Sequence, residues 1–351
     1  MKVLIVSPGG DELGGGMGTV AKNIKDYLQN ETDIKVKVFD SRGEIGFLLS
    51  FLYLFRALFL VTAELLKNRK DVLLHINVSE RSSFYRKFCF IFIARLFKVP
   101  TVLHHHGAEL IPFYEHCGGL SRKVVQYCIR NCTLNIVLGE KWKVFLENAI
   151  PNHAPIQIMF NAVARHQIPV KTNQNFSIAM IANLSERKGV SLAIEAAKQL
   201  KQDYDYTMHF IGGGEVEKYR EQAKKEDLED QCIFHGWTSR ENTLKLMADS
   251  NILILPSYNE GLPMVILEAM AQAVPVICTP VGSIGEVFTH EKECLFMEVG
   301  SAKSLYVNIK RLQNDQVLRA DLISAATITF DNKFSIQQYM TCLLKTYHSL
   351  F

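Results

Sequence analysis

The sequence predicts an α/β protein built from two doubly wound parallel-sheet domains in tandem. The chain has 351 residues, of which 48% are hydrophobic, and this length favours two cores over one. Short apolar runs alternate with helix-length stretches, which is typical of a parallel sheet covered on both faces. The alternation begins again after a polar segment near the middle of the chain. We therefore expect a ligand in the crevice between two such domains.

The first domain is predicted to span residues 1–163. Its strands should be the apolar runs at residues 2–7, 35–40, 72–78, 101–106, 134–139 and 156–161. The chain opens directly into the first of these runs, without the cationic segment and long apolar stretch of a secretory signal. We therefore expect no signal peptide.

A glycine-rich loop follows the first predicted strand, with the sequence GGDELGGG over residues 9–16. Glycine lets backbone N–H groups approach a phosphate with no Cβ in the way. The spacing fits a dinucleotide fingerprint only loosely, and Asp40 is the one acid that could serve a ribose at the end of the second strand. A flexible loop facing the crevice is the favoured interpretation, and a dinucleotide site is the alternative.

Two segments of the first domain are rich in apolar and aromatic side chains. Residues 46–66 contain an uncharged run of ten residues before Arg56, which is too short to cross a bilayer. Residues 81–98 carry five cations and no acid among their aromatic side chains. Such a helix can lie on an anionic membrane surface, and a core helix with solvated cations is equally compatible with the pattern. Both segments belong to the first domain, so we expect the first domain, and not the second, to be the one that faces a membrane.

Three consecutive histidines end the fourth predicted strand. Side chains alternate along a strand, so His104 and His106 share one face and His105 points to the other. A metal site would need a further ligand at a defined spacing, and the sequence supplies none securely. We expect structural roles for His104 and His105. Cys128 and Cys132 likewise lack a second pair at zinc-finger spacing.

The second domain is predicted to span residues 176–332. A polar linker over residues 164–175 precedes it, and a helix over residues 333–351 follows it. Its strands should be residues 177–183, 208–212, 232–236, 252–256 and 275–279.

The most informative stretch is PSYNEGLPMVILEAM, residues 256–270. It joins a buried strand to a helix, and Pro263 suits the first helical position because its missing N–H costs nothing there. The unpaired N–H groups at the start of a helix favour an anion. Glu260 lies in the loop, and Glu268 in the second helical turn leans back toward the helix start. These residues predict an anion site lined with acids.

This stretch resembles the signature of glycosyltransferase family four, a group of retaining sugar transferases with the GT-B fold, in which two Rossmann-like domains face a central crevice. The resemblance lies in Glu260, seven residues and Glu268 within the pattern Pro-Ser-x-x-Glu-Gly-x-Pro. It is strong over residues 176–290 and looser over residues 1–165. In that family the first glutamate approaches the donor sugar, the second holds the nucleotide ribose, and the last helix crosses back onto the first domain.

The resemblance implies a set of site residues. The catalytic residues would be His106 beside the donor sugar, Lys188 as the phosphate clamp, and Glu260. Glu109 and Met17 are the candidate contacts to the acceptor. The donor-binding residues would be Gly15, Gly16, Asn183, Arg187, Lys188, Gly212, Gly236, Trp237, Glu260, Gly261, Leu262, Met264, Val265 and Glu268. For Trp237, a place in the core is the alternative.

One position departs from the family pattern. Lys188 and Gly189 match its basic phosphate clamp, but Asn183 stands where an arginine is usual. Arg187 is the candidate substitute for that arginine. Two cations at a helix start oppose the helix dipole unless an anion is bound, which favours phosphate binding over a pair of solvated cations.

The implied reaction moves a sugar from a nucleoside diphosphate donor to an acceptor hydroxyl with retention of the anomeric configuration. A UDP-sugar is favoured over GDP-mannose as the donor. The expected acceptor is a lipid-linked saccharide. It would belong to the synthesis of a bacterial surface polysaccharide such as capsule or lipopolysaccharide. No cofactor and no metal are expected, because the Asp203-Tyr204-Asp205 motif falls in a polar turn. A nucleotide-sugar epimerase and a non-catalytic sugar-nucleotide or membrane-binding module are the alternatives.

Composition bounds the partners and the compartment. The net charge of +3 is too small to argue for nucleic acid. The eight cysteines are scattered and several lie in apolar runs, which favours reduced thiols in the cytoplasm. The expected location is cytoplasmic, with peripheral association with the inner face of the membrane as an added hypothesis.

Overall fold

The computed structural model describes residues 1–10, 16–43, 47–166 and 175–351, and for residues 47–49 the backbone alone. The chain divides into two compact units. The first comprises Met1–Ala162 and Ile336–Phe351, and the second comprises Val163–Ser335. Most of the segment predicted as a linker, residues 167–174, lies outside the described residues.

The first unit is built on a six-stranded parallel sheet. Its strands are β1 (Lys2–Ser7), β2 (Lys35–Asp40), β3 (Val72–Val78), β4 (Thr101–His105), β5 (Leu134–Val137) and β6 (Ile156–Ile158), in the spatial order β2-β1-β3-β4-β5-β6. Its helices between strands are α1 (Gly16–Glu31), α2 (Phe47–Lys67), α3 (Ser82–Phe97), α4 (Leu110–His116), α5 (Gly119–Asn131) and α6 (Glu140–Ala149). All seven residues of β3 are buried, as expected of a strand covered on both faces.

The second unit is built on another six-stranded parallel sheet. Its strands are β7 (Phe176–Ile181), β8 (Tyr206–Ile211), β9 (Cys232–Gly236), β10 (Ile252–Leu255), β11 (Val276–Cys278) and β12 (Leu295–Phe296), in the spatial order β12-β11-β10-β7-β8-β9. Its helices are α7 (Val190–Leu200), α8 (Val216–Lys225), α9 (Arg240–Ala248), α10 (Met264–Ala271), α11 (Ile284–Val287), α12 (Ala302–Asn314) and α13 (Gln316–Lys333).

The final helix, α14 (Ile336–Ser349), belongs to the first unit. It contributes Met340, Leu343 and Tyr347, all with 0% exposure. The hydroxyl of Tyr347 reaches the ring of His75 on β3. The end of the chain is therefore part of the core that supports the first sheet.

Every predicted strand is present, and the differences lie at the ends. The strands predicted over residues 101–106, 134–139, 156–161 and 177–183 stop earlier, because their last residues turn into loops at the carboxyl edge of each sheet. The sequence analysis missed β12, whose two residues are too few to give an alternating pattern. In the described part of the chain, none of the helices combines the length and the apolar character that a membrane span requires.

Candidate functional site

The loop between β10 and α10 is held in place by hydrogen bonds from residues that follow β11. Thr279 Oγ1 donates to the carbonyl of Ser257 at 2.5 Å, and the N–H of Ser283 donates to the carbonyl of Gly261 at 3.0 Å. Gly282 has φ of +62°, and a Cβ there would lie 2.0 Å from the carbonyl oxygen of Glu260. Only glycine allows this close approach without strain.

Helix α10 begins at Met264, and Pro263 precedes it in an extended conformation with ψ of 127°. The prediction that Pro263 takes the first helical position is therefore wrong by one residue. Pro263 occupies the N-cap position, where non-helical backbone angles are normal. The N–H groups of the first turn still open toward the loop, so the argument for an anion site is unchanged.

Lys188 and Glu260 form a buried ion pair beside this loop. Lys188 Nζ lies 2.5 Å from Glu260 Oε1, and their side chains are 13% and 6% exposed. The short contact holds the two side chains in fixed positions next to each other. Two residues that the motif predicts as catalytic are thus in direct contact.

The turn that carries Lys188 is packed directly on the loop. It is a 3₁₀ turn, Glu186–Lys188, ended by Gly189 with φ of +73°, where a Cβ would lie 2.1 Å from the carbonyl oxygen of Pro256. The N–H of Tyr258 donates to the Arg187 carbonyl at 2.8 Å, and Arg187 Nη1 donates to the Asn259 carbonyl at 2.7 Å. The guanidinium of Arg187 is therefore held at the loop, and Arg187 itself is exposed.

Glu268 is paired with Arg240, a residue that the sequence analysis did not single out. Arg240 Nη1 donates to Glu268 Oε1 at 2.8 Å, and the side chain of Glu268 is 11% exposed. Burial raises the pKa of Glu268, and Arg240 opposes this shift through its charge and its hydrogen bond. The sequence gives only an indirect signal for this pair, which is that a buried carboxylate requires a nearby cation. Arg240 lies 28 positions from Glu268 along the chain, so local spacing does not identify it.

The carboxyl ends of β7, β8 and β9 bring three predicted residues together. Gly212 N donates to the Gly236 carbonyl at 2.9 Å, and a Cβ on Gly213 would lie 3.9 Å from Asn183 Oδ1. Gly212 has φ of +132°, and a Cβ there would lie 2.0 Å from the Ala182 carbonyl oxygen. The edge of the sheet thus exposes backbone, as a site for a flat ring or a phosphate requires.

The remaining predicted residues of the second unit differ in exposure. Trp237 is 77% exposed, so its alternative interpretation as a core residue is wrong. Leu262 is 2% exposed, so its side chain is not available to a ligand. Gly261 is buried, whereas Met264 and Val265 are half-buried at the start of α10.

The first unit contains a hydrogen-bonded cluster of aromatic and amide side chains. Asn77 Oδ1 accepts from His75 Nε2 at 3.2 Å and from His106 Nε2 at 3.0 Å. His104 Nδ1 lies 3.3 Å from His75 Nε2, and the rings of His104 and His106 are 4.0 Å apart, so these two histidines share a face as predicted. On the other face His105 Nε2 bonds to Asn135 Oδ1 at 3.0 Å.

The hydrogen bonds of this cluster fix the protons on its rings. The amide oxygen of Asn77 only accepts, so His75 and His106 both carry their protons on Nε2. The Nδ1 atom of His75 must then accept from the Tyr347 hydroxyl, which lies 2.7 Å away. Burial lowers the pKa of His75 to about 4 and that of His106 to about 3. His106 is therefore a neutral ring with a lone pair on Nδ1.

The other predicted residues of the first unit are placed as follows. Glu109 Oε2 accepts from Arg81 Nη2 at 3.0 Å, on the surface. Gly16 is the first residue of α1, and Met17 follows it half-buried. Gly15 lies outside the described residues. Within those residues, histidine, cysteine, aspartate and glutamate form no group of three or more that could hold a metal ion.

Comparison with known sequences gives a family match for the second unit. Residues 163–329 match the family described as glycosyl transferases group 1. An uncharacterized glycosyltransferase of Methanocaldococcus jannaschii, MJ1178, is 27% identical over 252 residues, which cover 72% of this chain and 69% of that protein. The amylovoran biosynthesis glycosyltransferase AmsK of Erwinia amylovora is 30% identical over 173 residues, covering 46% of this chain and 42% of AmsK.

Solved structures resemble the chain over its whole length. Sucrose-phosphate synthase from Thermosynechococcus elongatus gives a TM-score of 0.82 at 16% identity, covering 100% of this chain and 99% of that one. The Anabaena protein Alr3699/HepE in complex with UDP-glucose gives a TM-score of 0.78 at 19% identity, covering 99% and 100%. At these identities the likeness concerns the fold.

Proposed function

We propose that this chain, a glycosyltransferase of the group 1 type with the GT-B fold, moves a sugar from a UDP-sugar to an acceptor hydroxyl with retention of the anomeric configuration. The observation that carries the proposal is the buried contact between Lys188 and Glu260 at the start of α10, 2.5 Å long. It puts a cation and an acid at a turn of backbone that favours anions.

The diphosphate of the donor would lie against this turn. Lys188, the guanidinium of Arg187 and the N–H groups at the start of α10 supply positive charge in one place. As the bond to the sugar breaks, negative charge grows on the leaving diphosphate, and fixed donors lower the energy of that state more than that of the bound substrate. Glu260 would then exchange its contact with Lys188 for the hydroxyls of the sugar.

The nucleoside would lie along the carboxyl edge of the second sheet. Glu268 would accept hydrogen bonds from the ribose hydroxyls, with Arg240 holding its carboxylate in place at 2.8 Å. The exposed backbone at Gly212 and Gly236 leaves room for a base. A uracil base is supported by the complexes of HepE, which contain UDP and UDP-glucose.

The proposed acceptor is a lipid-linked saccharide of a bacterial surface polysaccharide. The names of two relatives support this acceptor. AmsK is an amylovoran biosynthesis glycosyltransferase, and TuaC of Bacillus subtilis, which is 26% identical, is named as a putative teichuronic acid biosynthesis glycosyltransferase. His106, as a neutral ring with an open acceptor at Nδ1, suits a contact to a sugar hydroxyl. We propose that the reaction uses no metal ion, because the cations named above can neutralise the diphosphate.

We also propose that the first unit docks on an anionic membrane surface through α2. Its outer face exposes Leu52 by 63%, Phe55 by 64% and Phe59 by 73%, beside the exposed cation Arg56. The one acid of α2, Glu64, turns inward to Lys2 and Lys37, which lower its pKa to about 2. The exposed face is thus apolar and cationic, as interfacial helices are.

Two experiments test the proposal. Incubating the purified chain with UDP-sugars and a lipid-linked acceptor, with and without EDTA, should give transfer that EDTA leaves within about twofold; an anomeric analysis by NMR should show retention. UDP release without any glycoside product, or conversion of the donor to an epimer, would contradict the assignment.

For the membrane, co-sedimentation with phosphatidylglycerol vesicles should exceed that with phosphatidylcholine vesicles and should fall in Phe59→Ser. The matched control is Val317→Ser on α13 of the second unit, where Val317 is 71% exposed. Equal binding to both vesicles, or an equal effect of the two substitutions, would count against docking through α2.

A further inference from the structure

A lysine that has no acidic partner among the described residues lies in the interior of the first unit. Lys87 is 0% exposed, and its Nζ donates to the hydroxyl of Ser41. Its other contact is the ring of Phe90, at 5.8 Å from the ring centre. An ammonium group has three donors, and a charge buried without a counter-ion is strongly unfavourable. No carboxylate of the described residues lies within ion-pair distance of Lys87.

Two arginines add to the positive charge at this place. The charge of Arg86 acts on Lys87, and the charge of Arg42 acts on Arg86. The nearby acid, Asp40, is already bound by backbone, because its carboxylate accepts from the N–H groups of Gly9, Arg42 and Gly43 at 2.8–3.0 Å. Among the described residues, three cations therefore lie near one carboxylate, and the oxygens of that carboxylate already accept hydrogen bonds.

Polar atoms without partners lie at the same edge of the sheet. Ser7 ends β1 and pairs in register with Asp40 of β2, and its carbonyl accepts from the N–H of Ser41 at 3.1 Å. In the part of the chain that the structure describes, neither the buried hydroxyl of Ser7 nor the Nε of Arg86 has a hydrogen-bond partner. Buried polar atoms normally find partners, so these two groups point to a bound molecule that completes them.

The three cations lie at increasing depth. Arg42 is exposed, Arg86 is half-buried and Lys87 is buried, so the positive charge extends from the surface inward. The turn after β2 also packs on α2, since a Cβ on Gly43 would lie 2.5 Å from the ring of Tyr53. The cations are therefore next to the helix whose outer face is apolar.

We propose that Ser7, Ser41, Arg42, Arg86 and Lys87 form an anion subsite that takes the phosphate group of a lipid-linked acceptor. This inference rests on the proposed function for the class of acceptor. The chemistry that recognises the ligand is that of a phosphate: guanidinium and ammonium donors with two serine hydroxyls. The apolar face of α2 suits the lipid chain attached to that phosphate.

The test uses calorimetry on the full chain with UDP present in excess, so that the second unit is occupied. The probe is citronellyl phosphate, and citronellol is its uncharged counterpart. We expect the phosphate to bind and the alcohol not to bind. Lys87→Met and Arg86→Gln should each weaken binding of the phosphate at least tenfold. Arg95→Gln, on an exposed cation of the same helix, should leave it unchanged.

A second readout separates an anion contact from a merely structural lysine. Burial and the charge of Arg86 lower the pKa of Lys87, whereas Asp40 raises it. A phosphate beside the amine would raise that pKa, so binding should take up a proton over the pH range between the free and the bound pKa. The binding enthalpy should therefore change with the ionisation enthalpy of the buffer in the unmodified chain, and this dependence should vanish in Lys87→Met.

Each outcome of these binding experiments either supports or overturns the proposed subsite. Methionine fills nearly the same volume without the charge, so Lys87→Met should unfold at an equal or higher temperature; if it fails to fold, Arg86→Gln gives the answer. Unchanged affinity for citronellyl phosphate in the folded variants would overturn the subsite. If these variants keep that affinity but lose binding to phosphatidylglycerol vesicles, the cations serve the membrane surface and not an acceptor. If the unmodified chain transfers no sugar and both variants lose phosphate binding, the proposed function is rejected and the subsite stands.

Discussion

The hydroxyl of Tyr347, four residues from the end of the chain, donates to Nδ1 of His75 on the third strand at 2.7 Å. Both side chains have 0% exposure. The contact joins residues 272 positions apart and continues through Asn77 to His106. The final helix thus supplies a hydrogen-bond donor to a buried histidine of the interior strand β3.

Tyr347→Phe should lower the free energy of unfolding by about 1–3 kcal/mol, because it leaves the buried Nδ1 of His75 without a donor. Denaturant titration of both chains measures the difference. ¹⁵N NMR of the histidine rings should show His75 protonated at Nε2 in both chains, because Asn77 still accepts from that atom, and should show a shifted Nδ1 resonance in the variant. An unchanged Nδ1 resonance would mean that the tyrosine does not donate to His75.

Acid should destabilise the protein first through its buried histidines. The pKa of His75 and of His105 is lowered by burial from 6.5 to about 4. Between these values the unfolded chain binds more protons than the folded one, so the unfolding free energy should fall as the pH drops from about 6.5 to about 4. His105→Gln should reduce the slope in this window. The loss due to Glu64, whose pKa is lowered to about 2 from 4.5, should begin only below about pH 4.5.

Lys188→Met should reduce the rate of transfer by roughly a hundredfold or more, as expected for removal of one charge that stabilises a leaving group. It also leaves Glu260 buried without its cation, so the fold must be checked by its unfolding midpoint. The double variant Lys188→Met with Glu260→Gln removes both charges and should recover stability without recovering transfer. Near-normal turnover in either variant would refute the role of Lys188.

Arg240→Ala should make UDP binding depend on pH. Burial raises the pKa of Glu268, and Arg240 holds it down. Without Arg240 the carboxylate takes up its proton at a higher pH and loses an acceptor for the ribose hydroxyls. As the pH is lowered, the affinity for UDP should therefore begin to decline at a higher pH in the variant than in the unmodified chain. Parallel pH profiles from calorimetry would show that Arg240 does not govern Glu268.

Gly282→Ala should disturb the loop that carries Glu260. A Cβ there would lie 2.0 Å from the carbonyl oxygen of Glu260 at a φ of +62°, and relief of the contact must move the loop. We expect a loss of about 1–3 kcal/mol of stability together with weaker UDP binding. Gly118→Ala is the matched control, because a Cβ at Gly118 meets nothing within 4 Å and its φ is −66°.

Local patterns in the sequence were enough to predict both sheets. Short apolar runs such as residues 2–7 and 252–255 are buried in a sheet regardless of which strands lie beside them. Their burial and strand conformation can therefore be predicted from the local sequence. The motif around Glu260 and Glu268 is equally local, since a strand, a turn and a helix start position both acids within nine residues. Strand ends were less accurate, because they depend on where the chain leaves the sheet.

The sequence by itself determined that the chain forms two parallel-sheet units and that residues 256–270 join a strand to a helix with two acids. Only the tertiary structure decided which cations those acids meet, Lys188 for Glu260 and Arg240 for Glu268. It alone revealed the contact of Tyr347 with His75, and a buried Lys87 that meets no acid in the described ranges of the chain. Such pairings depend on how elements distant in sequence pack against one another, and packing is a property of the whole fold that no local spacing encodes.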